Sequence, residues 1–208
     1  MALSFDLFGT LVSVAQPPEP ATAVAYELRA RGIDVPDTWR EAYRSPHVDV
    51  PEGGELPLPD HVSAALESRG VDGAKETVRR GVLAAFDRKV ETRPGAEGAL
   101  EVAVDRGRVG ICSNCSVPGL VDAVLDGSDI DRGCLDAVVT SAACGWRKPD
   151  SRIFEAVAGE LHVQLDDLIH VGDDPETDGG IEDVGGRAIL LTEHNLSDLR
   201  RRLLEGAQ

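Results

Sequence analysis

The first twelve residues read MALSFDLFGTLV (residues 1–12). Leu3, Phe5 and Leu7 are apolar, and the stretch reads as a buried strand over residues 2–8. It presents Asp6 beside a Gly9-Thr10 turn. Phe8, an aromatic residue, stands two residues after that acid.

Two textures follow. From Val14 to Arg93 the pattern is helical, interrupted by loops. The run PPEPATAVAYELRARG opens with prolines suited to a helix start and closes at Gly32. VPDTWREAYR reads as a second helix, with Asp37 placed to cap it. SPHVDVPEGGELPLP is loop, and residues 60–69 and 73–89 read as two more helices. After Arg93-Pro94-Gly95, helix and strand alternate. A helix is expected at 95–106, a strand VGICS ending at Ser113, a helix at 117–126, and a strand AVVTS at 137–141. Then come a helix at 151–161, a strand LIHVG ending before Asp173, a strand RAILL near residue 190, and a final helix at 197–204. Short apolar strands separated by helices imply an α/β fold with a parallel sheet covered on both faces. The expected division is a core of 1–13 and 94–208, with 14–93 inserted as an α-helical lid over the edge where Asp6 lies.

Composition narrows the function. The chain has 208 residues, is 42% hydrophobic and carries a formal charge of −16 from 37 acidic and 21 basic residues. Such a surface repels phosphate backbones and anionic membranes, so neither nucleic acid nor membrane is an expected partner. No apolar run approaches the roughly 20 residues of a membrane span. Asp6 falls where a signal peptide's apolar segment would begin, so the expected location is the cytoplasm. Only Lys75, Lys89 and Lys148 are lysines, and acidity with scarce lysine fits a cytoplasm of very high salt. Cys112 and Cys115 have CxxC spacing, but Cys134 and Cys144 form no second pair. The four thiols read as small core or near-core residues. Nothing in the sequence marks an oligomeric state.

In a parallel α/β sheet, ligands bind outside the carboxyl ends of the strands. That rule selects Asp6, then Ser113 and Asn114, then Lys148 in the loop after the third strand, then Asp173 and Asp174 with Asp178 beyond. Crowded carboxylates repel unless a cation neutralises them, and oxygen ligands suit Mg²⁺. Mg²⁺, Lys148 and Ser113 together could hold a phosphoryl group while Asp6 attacks it, giving an aspartyl-phosphate.

FDLFGTLV, ICSN, GWRKPDSRIF and HVGDDPETD, in this order, resemble the four motifs of the haloacid dehalogenase superfamily, in the form with a helical cap inserted after the first motif. The resemblance covers essentially the whole chain and implies a Rossmann-like core. It implies Asp6 as nucleophile and metal ligand, with the Phe8 backbone carbonyl and Asp173 as further Mg²⁺ ligands. Ser113 and Lys148 would bind the transferring group, with Thr10 and Asn114 beside the substrate. Asp178 would act on a metal-held water or on Lys148. Asp174 stands where many relatives carry Ser.

Phe8 departs from the phosphatases of that superfamily, whose acid at this position protonates the leaving alkoxide. A general acid–base is worth about 10²–10⁴ in rate. Haloacid dehalogenases carry an aromatic residue here and work without metal, because halide leaves unprotonated. The acids of the fourth motif favour phosphate and Mg²⁺. The expectation is therefore a phosphatase acting on a small phosphorylated metabolite. The alternatives are a metal-free 2-haloacid dehalogenase and a phosphometabolite-binding protein without turnover. His47, His61 and Glu55 are candidates for a replacement proton donor from the cap. Arg40 and Arg44, and Lys75 and Lys89, are candidates for the cap cations that a dehalogenase or a phosphonate-cleaving enzyme would use, though a solvated helix face accounts for them. His170, inside a strand, is expected to be structural.

Overall fold

The structure is a computed structural model that describes residues 1–191, 195–199 and 201. Its centre is a five-stranded sheet: β1 (Ala2–Phe5), β4 (Arg108–Ser113), β5 (Ala137–Thr140), β6 (Leu168–Gly172) and β7 (Arg187–Leu190). The order is β5-β4-β1-β6-β7, and every neighbouring pair is parallel. β1 is therefore central and buried throughout. Leu3, Phe5, Ile111, Ile169 and Val171 point to one face. That face is covered by α5 (Ala96–Val104) and α6 (Leu120–Asp126). Ala2, Cys112, Val139 and Leu168 point to the other, under α8 (Ser151–Glu160). Ile153, Phe154, Val157, Ala158 and Leu161 recur at helical spacing and give α8 one continuous apolar stripe against the sheet.

A row of small or polar residues crosses the α8 side of the sheet. Ala137, Gly110, Ser4, His170 and Ala188 lie side by side in register. Gly110 leaves room for Leu161; a Cβ there would stand 3.2 Å from the Leu161 Cδ1. Ser4 and His170 are fully buried in the same row.

Helices α1 (Pro20–Ala30), α2 (Trp39–Arg44), α3 (Leu58–Glu67) and α4 (Lys75–Phe86) lie between two short strands, β2 (Val12–Val14) and β3 (Val90–Thr92). These pair antiparallel, Val12 with Thr92 and Val14 with Val90. The chain thus leaves and re-enters the sheet domain through a two-stranded neck. Three residues are too few to carry a strand pattern, so sequence gave no sign of it. Trp39 is buried and its indole N–H donates to the Ala21 carbonyl at 2.7 Å, tying α2 to α1.

Several sequence expectations are corrected. The first strand stops at Phe5, because Leu11 N and Val12 N both donate to the Leu7 carbonyl and fold 7–12 into a tight loop. Asp37 does not cap α2; Thr38 takes that position, without a side-chain bond. α6 starts at Leu120 after Gly119, whose φ is +85°. Thr140 ends β5 and caps the short α7 (Ser141–Cys144) through Ala143 N. Asp178–Val184 is a 3-10 helix that has no apolar periodicity to announce it. The helix expected at 197–204 falls largely outside the described residues; Leu196–Asp198 form a 3-10 turn. The thiols are free, and Cys112 and Cys115 serve the cores on opposite faces of the sheet. Among the described residues no helix is long and apolar enough to cross a membrane.

Leu161 is fully buried between α8 and Gly110. Leu161→Ala is expected to cost about 2–5 kcal/mol, read as a lower urea midpoint at unchanged slope. A shift near zero would show that this face collapses without loss.

Candidate active site

Because β1 and β6 are neighbours, the residues just past their carboxyl ends meet. Asp6 N donates to the Val171 carbonyl at 2.9 Å, extending the ladder one step and fixing the Asp6 backbone. Asp173 follows β6. The loop between Asp6 and β2 passes close over it: Gly9 has φ +87°, and a Cβ there would lie 2.5 Å from Asp173 Oδ2. Glycine meets both demands, the left-handed backbone and the missing side chain. Fully buried Thr10 donates its hydroxyl to Asp173 Oδ1 at 2.8 Å. Thr10, expected beside the substrate, holds the Asp173 carboxylate.

Lys148 reaches the same point from the loop after β5. Asn114, at the end of β4, clasps its backbone twice: Asn114 Nδ2 donates to the Lys148 carbonyl at 3.0 Å, and Lys148 N donates to Asn114 Oδ1 at 2.7 Å. The Lys148–Pro149 peptide is cis. The ammonium is 2% exposed and donates to Asp6 Oδ1 at 2.9 Å and to Asp178 Oδ1 at 2.5 Å. Asp178 Oδ2 accepts from Asp174 N at 3.0 Å. Gly172 makes room for Asp178, since a Cβ there would stand 2.1 Å from the Asp178 Cγ. Asp174 itself is exposed, and its carboxylate accepts from Glu176 N to close its own turn.

The structure also brings in a residue that the sequence reading left as scaffold. His170 Nε2 lies 3.0 Å from Asp178 Oδ1 and 3.5 Å from Lys148 Nζ, and its Nδ1 lies 2.9 Å from Ser4 Oγ. A polar side chain at the centre of an otherwise apolar buried strand was the available signal.

Burial and charge set the protonation states. Burial raises the Asp6 carboxyl above its ordinary value; Lys148 opposes this and the Asp178 charge adds to it. Burial pulls the Lys148 ammonium down, but Asp6 and Asp178 outweigh it and hold it well above its usual value. Asp178 stays far below the ordinary carboxylate range: burial opposes this, and the His170 and Lys148 contacts overcome it. His170 is lowered, by burial first and then by the Lys148 charge. Burial pushes the Cys112 thiol up to about 12 and Cys115 to about 11, which makes both inert at neutral pH.

Asp6, Lys148, Asp173 and Asp178 open onto a cavity of about 310 Å³ that Phe8, Arg147 and Thr177 also line. Asp6, Asp173 and Asp178 each offer a carboxylate oxygen, all within 4.8 Å of one another, against the single ammonium of Lys148. An all-oxygen set with excess negative charge fits a hard divalent cation. Ser113 is fully buried, and among the described residues its Oγ is a buried side-chain polar atom without a hydrogen-bond partner. A buried hydroxyl left unsatisfied costs about 1–3 kcal/mol.

No residue of the helical segment lines this cavity among the described residues. His47 and His61 bond the carbonyls of Ala42 and Tyr43 at 2.7 Å, inside that segment. Glu55 accepts from Ser141 Oγ at 2.7 Å. Arg40 pairs with Glu19, and Lys89 with Glu91. These residues are used elsewhere in the fold. A larger groove of about 560 Å³ lies between α1 and α4, away from the carboxylates.

A family model described as haloacid dehalogenase-like hydrolase matches residues 1–181. The human protein "haloacid dehalogenase-like hydrolase domain-containing protein 3" is 28% identical, over 82% of this chain and 73% of that protein. Among solved structures, 2-haloacid dehalogenase from Pseudomonas syringae pv. Tomato DC3000 superposes with a TM-score of 0.69 at 21% identity, covering 99% of this chain and 98% of that one. CbbY from Rhodobacter sphaeroides, in complex with phosphate, superposes with a TM-score of 0.58 at 20% identity, over 91% and 84%. The fold is therefore shared with both dehalogenases and a phosphate-binding relative.

The Asp6 carboxyl is raised in the fold, so its ionisation opposes folding. Its contribution is favourable below the unfolded value and is lost as pH rises through the folded one. In chelator, Asp6→Asn is expected to raise the melting temperature at neutral pH, with the gain shrinking as acid protonates Asp6 in the native chain. Lys148→Met strands two buried carboxylates and is expected to cost about 3–5 kcal/mol. An Asp6→Asn chain less stable than the native one at neutral pH would contradict this account of the cluster.

Proposed function

The chain belongs to the haloacid dehalogenase-like hydrolases, and from that premise we propose that it is a Mg²⁺-dependent phosphatase of small phosphorylated metabolites. The observation that carries the proposal is the convergence of Asp6, Asp173 and Asp178 within 4.8 Å of one another, with one ammonium shared by Asp6 and Asp178. With Asp174 beside it, this mouth repels an anionic substrate unless a cation is bound between them. A metal-free site for haloacids would have no use for that surplus of carboxylates.

Asp6, Asp173 and the Phe8 carbonyl would hold Mg²⁺, which would neutralise charge on the phosphoryl oxygens. Asp6 attacks phosphorus with a carboxylate oxygen, the bond to the leaving oxygen breaks, and water then cleaves the aspartyl-phosphate to free phosphate and Asp6. Lys148, already bonded to Asp6, opposes the burial that raises its carboxyl and orients the nucleophile. The unpartnered Ser113 hydroxyl donates to a phosphoryl oxygen. Phe8 supplies no proton, so this site favours leaving groups that depart as stable anions. Residues 14–93 act as the cap over a core of 1–13 and 94–208, and the acidic, lysine-poor surface suits assay in molar salt.

Phosphate release from an aryl phosphate in molar KCl tests the reading. Release is expected with Mg²⁺, and is expected to vanish with chelator or in Asp6→Asn. Halide release from 2-haloacids in chelator, with no phosphate release, would replace the phosphatase with the dehalogenase that Phe8 suggests. Binding of phosphate without either activity would leave a non-catalytic pocket. Phe8→Asp adds an acid, and is expected to accelerate alkyl phosphates by about 10² or more while changing aryl phosphates little.

A further inference from the structure

We propose that His170 is the positioning residue of this site: a neutral imidazole carrying its proton on Nε2, it donates to Asp178 and thereby sets how the Lys148 ammonium is divided between Asp178 and Asp6. The inference rests on the reading of Asp6 as nucleophile.

The tautomer follows from the contacts. His170 Nε2 stands 3.0 Å from Asp178 Oδ1, an acceptor only. A lone pair there would face a carboxylate oxygen at hydrogen-bond distance, whereas a proton makes a good bond. The other side of the ring must then accept. Ser4 Oγ, 2.9 Å from Nδ1, can donate. Ser4 faces His170 because β1 and β6 pair them in register, so the sheet itself fixes the ring's second partner. Phe154 packs edge-on against the ring at 5.5 Å and closes a further side. A second ring proton would put a buried cation 3.5 Å from the Lys148 ammonium, which agrees with the lowered His170 value.

The consequence lies one residue away. Asp178 receives donors from His170 and Lys148 on Oδ1 and from Asp174 N on Oδ2. With three donors the carboxylate cannot rotate. The neutral donor also takes up part of the accepting capacity of Oδ1, which weakens Asp178's hold on the ammonium without adding charge. Lys148 is therefore shared with Asp6 rather than captured by Asp178. A residue needed only for packing on β6 would be apolar, like Ile169 and Val171 beside it, because the Ser4–His170 pair must be desolvated to be buried here.

Two measurements test this. The ring ¹⁵N–¹H correlation spectrum of the native protein is expected to show the Nε2–H tautomer. An Nδ1–H or doubly protonated ring would overturn the proposal whether or not phosphate is released. A native protein that shows Nε2–H but no turnover would overturn the phosphatase reading alone. Given turnover, His170→Leu is expected to lose about 10- to 100-fold in kcat, the scale of other supporting contacts around active sites, with KM little changed. His170→Gln, whose amide can still donate to Asp178, is expected to recover most of the loss. A folded His170→Leu with native kcat, a loss confined to KM, or no rescue by Gln would overturn it. Should His170→Leu fail to fold, Ser4→Ala serves instead. It removes only the donor to Nδ1, and is expected to admit the Nδ1–H tautomer and lower kcat several-fold. An unchanged spectrum and kcat would overturn the proposal.

Discussion

One buried ammonium is shared by two carboxylates, and the rest of the site is arranged to make that sharing possible. Lys148 has almost no contact with water, so its charge must be met inside the protein. Taking such ions out of water costs several kcal/mol each, and only close, well-directed contacts offset it. The fold supplies them from four directions: the end of β1 gives Asp6, the loop after β6 gives Asp178, the end of β4 gives the Asn114 clasp, and β6 itself gives His170. Glycines stand where any side chain would spoil the approach. Gly172 lies under Asp178, Gly9 lies over Asp173, and Gly180 packs on Pro149, where a Cβ would come within 2.5 Å of the proline ring.

What this arrangement leaves unfinished is as informative as what it completes. Almost every polar group near Lys148 has a partner, yet the Ser113 hydroxyl at the end of β4 has none among the described residues. The carboxylates also outnumber the cations that face them. A spare donor and surplus negative charge are the features on which the proposed pairing of a cation with an oxyanion rests. Phe8 shows the opposite economy. It lines the same cavity with an apolar ring that has no proton to give.

The parts of this structure that were legible in sequence are those whose signal is local. The inner parallel strands were readable because they carry short buried runs, as in VGICS and LIHVG. Asp6, Lys148, Asp173 and Asp178 were readable because strand ends converge in any parallel sheet. The β2–β3 neck was not, since its pairing joins Val12 with Thr92 across eighty residues and neither half has length enough to show alternation. The bonds from Thr10 to Asp173 and from Asn114 to the Lys148 backbone were not legible, because a hydroxyl or amide near a strand end reads as a substrate contact until its protein partners are seen. His170 was set aside as scaffold because its meaning depends on strand register: only the pairing of Ser4 with His170 gives the ring an acceptor side and a donor side.

The helical segment is tied to this machinery at both of its ends and once in the middle. At the neck, Gly9 N donates to the Val12 carbonyl and Arg93 N to the Leu11 carbonyl, so β2 and β3 are continuous with the loop that carries Asp6. In the middle, the segment around Gly53–Leu58 is stitched to both loops that serve Lys148. Arg147 N donates to the Gly53 carbonyl, Glu55 N to the Gly145 carbonyl, and Leu58 N to the Ser116 carbonyl. Glu55 adds a carboxylate that accepts from Ser141 Oγ, which in turn accepts from Cys115 N, next to Asn114. Among the described residues the helical segment contributes no side chain to the cavity wall, and these backbone and side-chain bonds are its links to the loops around it. A displacement of the segment must either break four hydrogen bonds or carry the Asn114 and Lys148 loops with it, and the second course shifts the ammonium on which Asp6 depends.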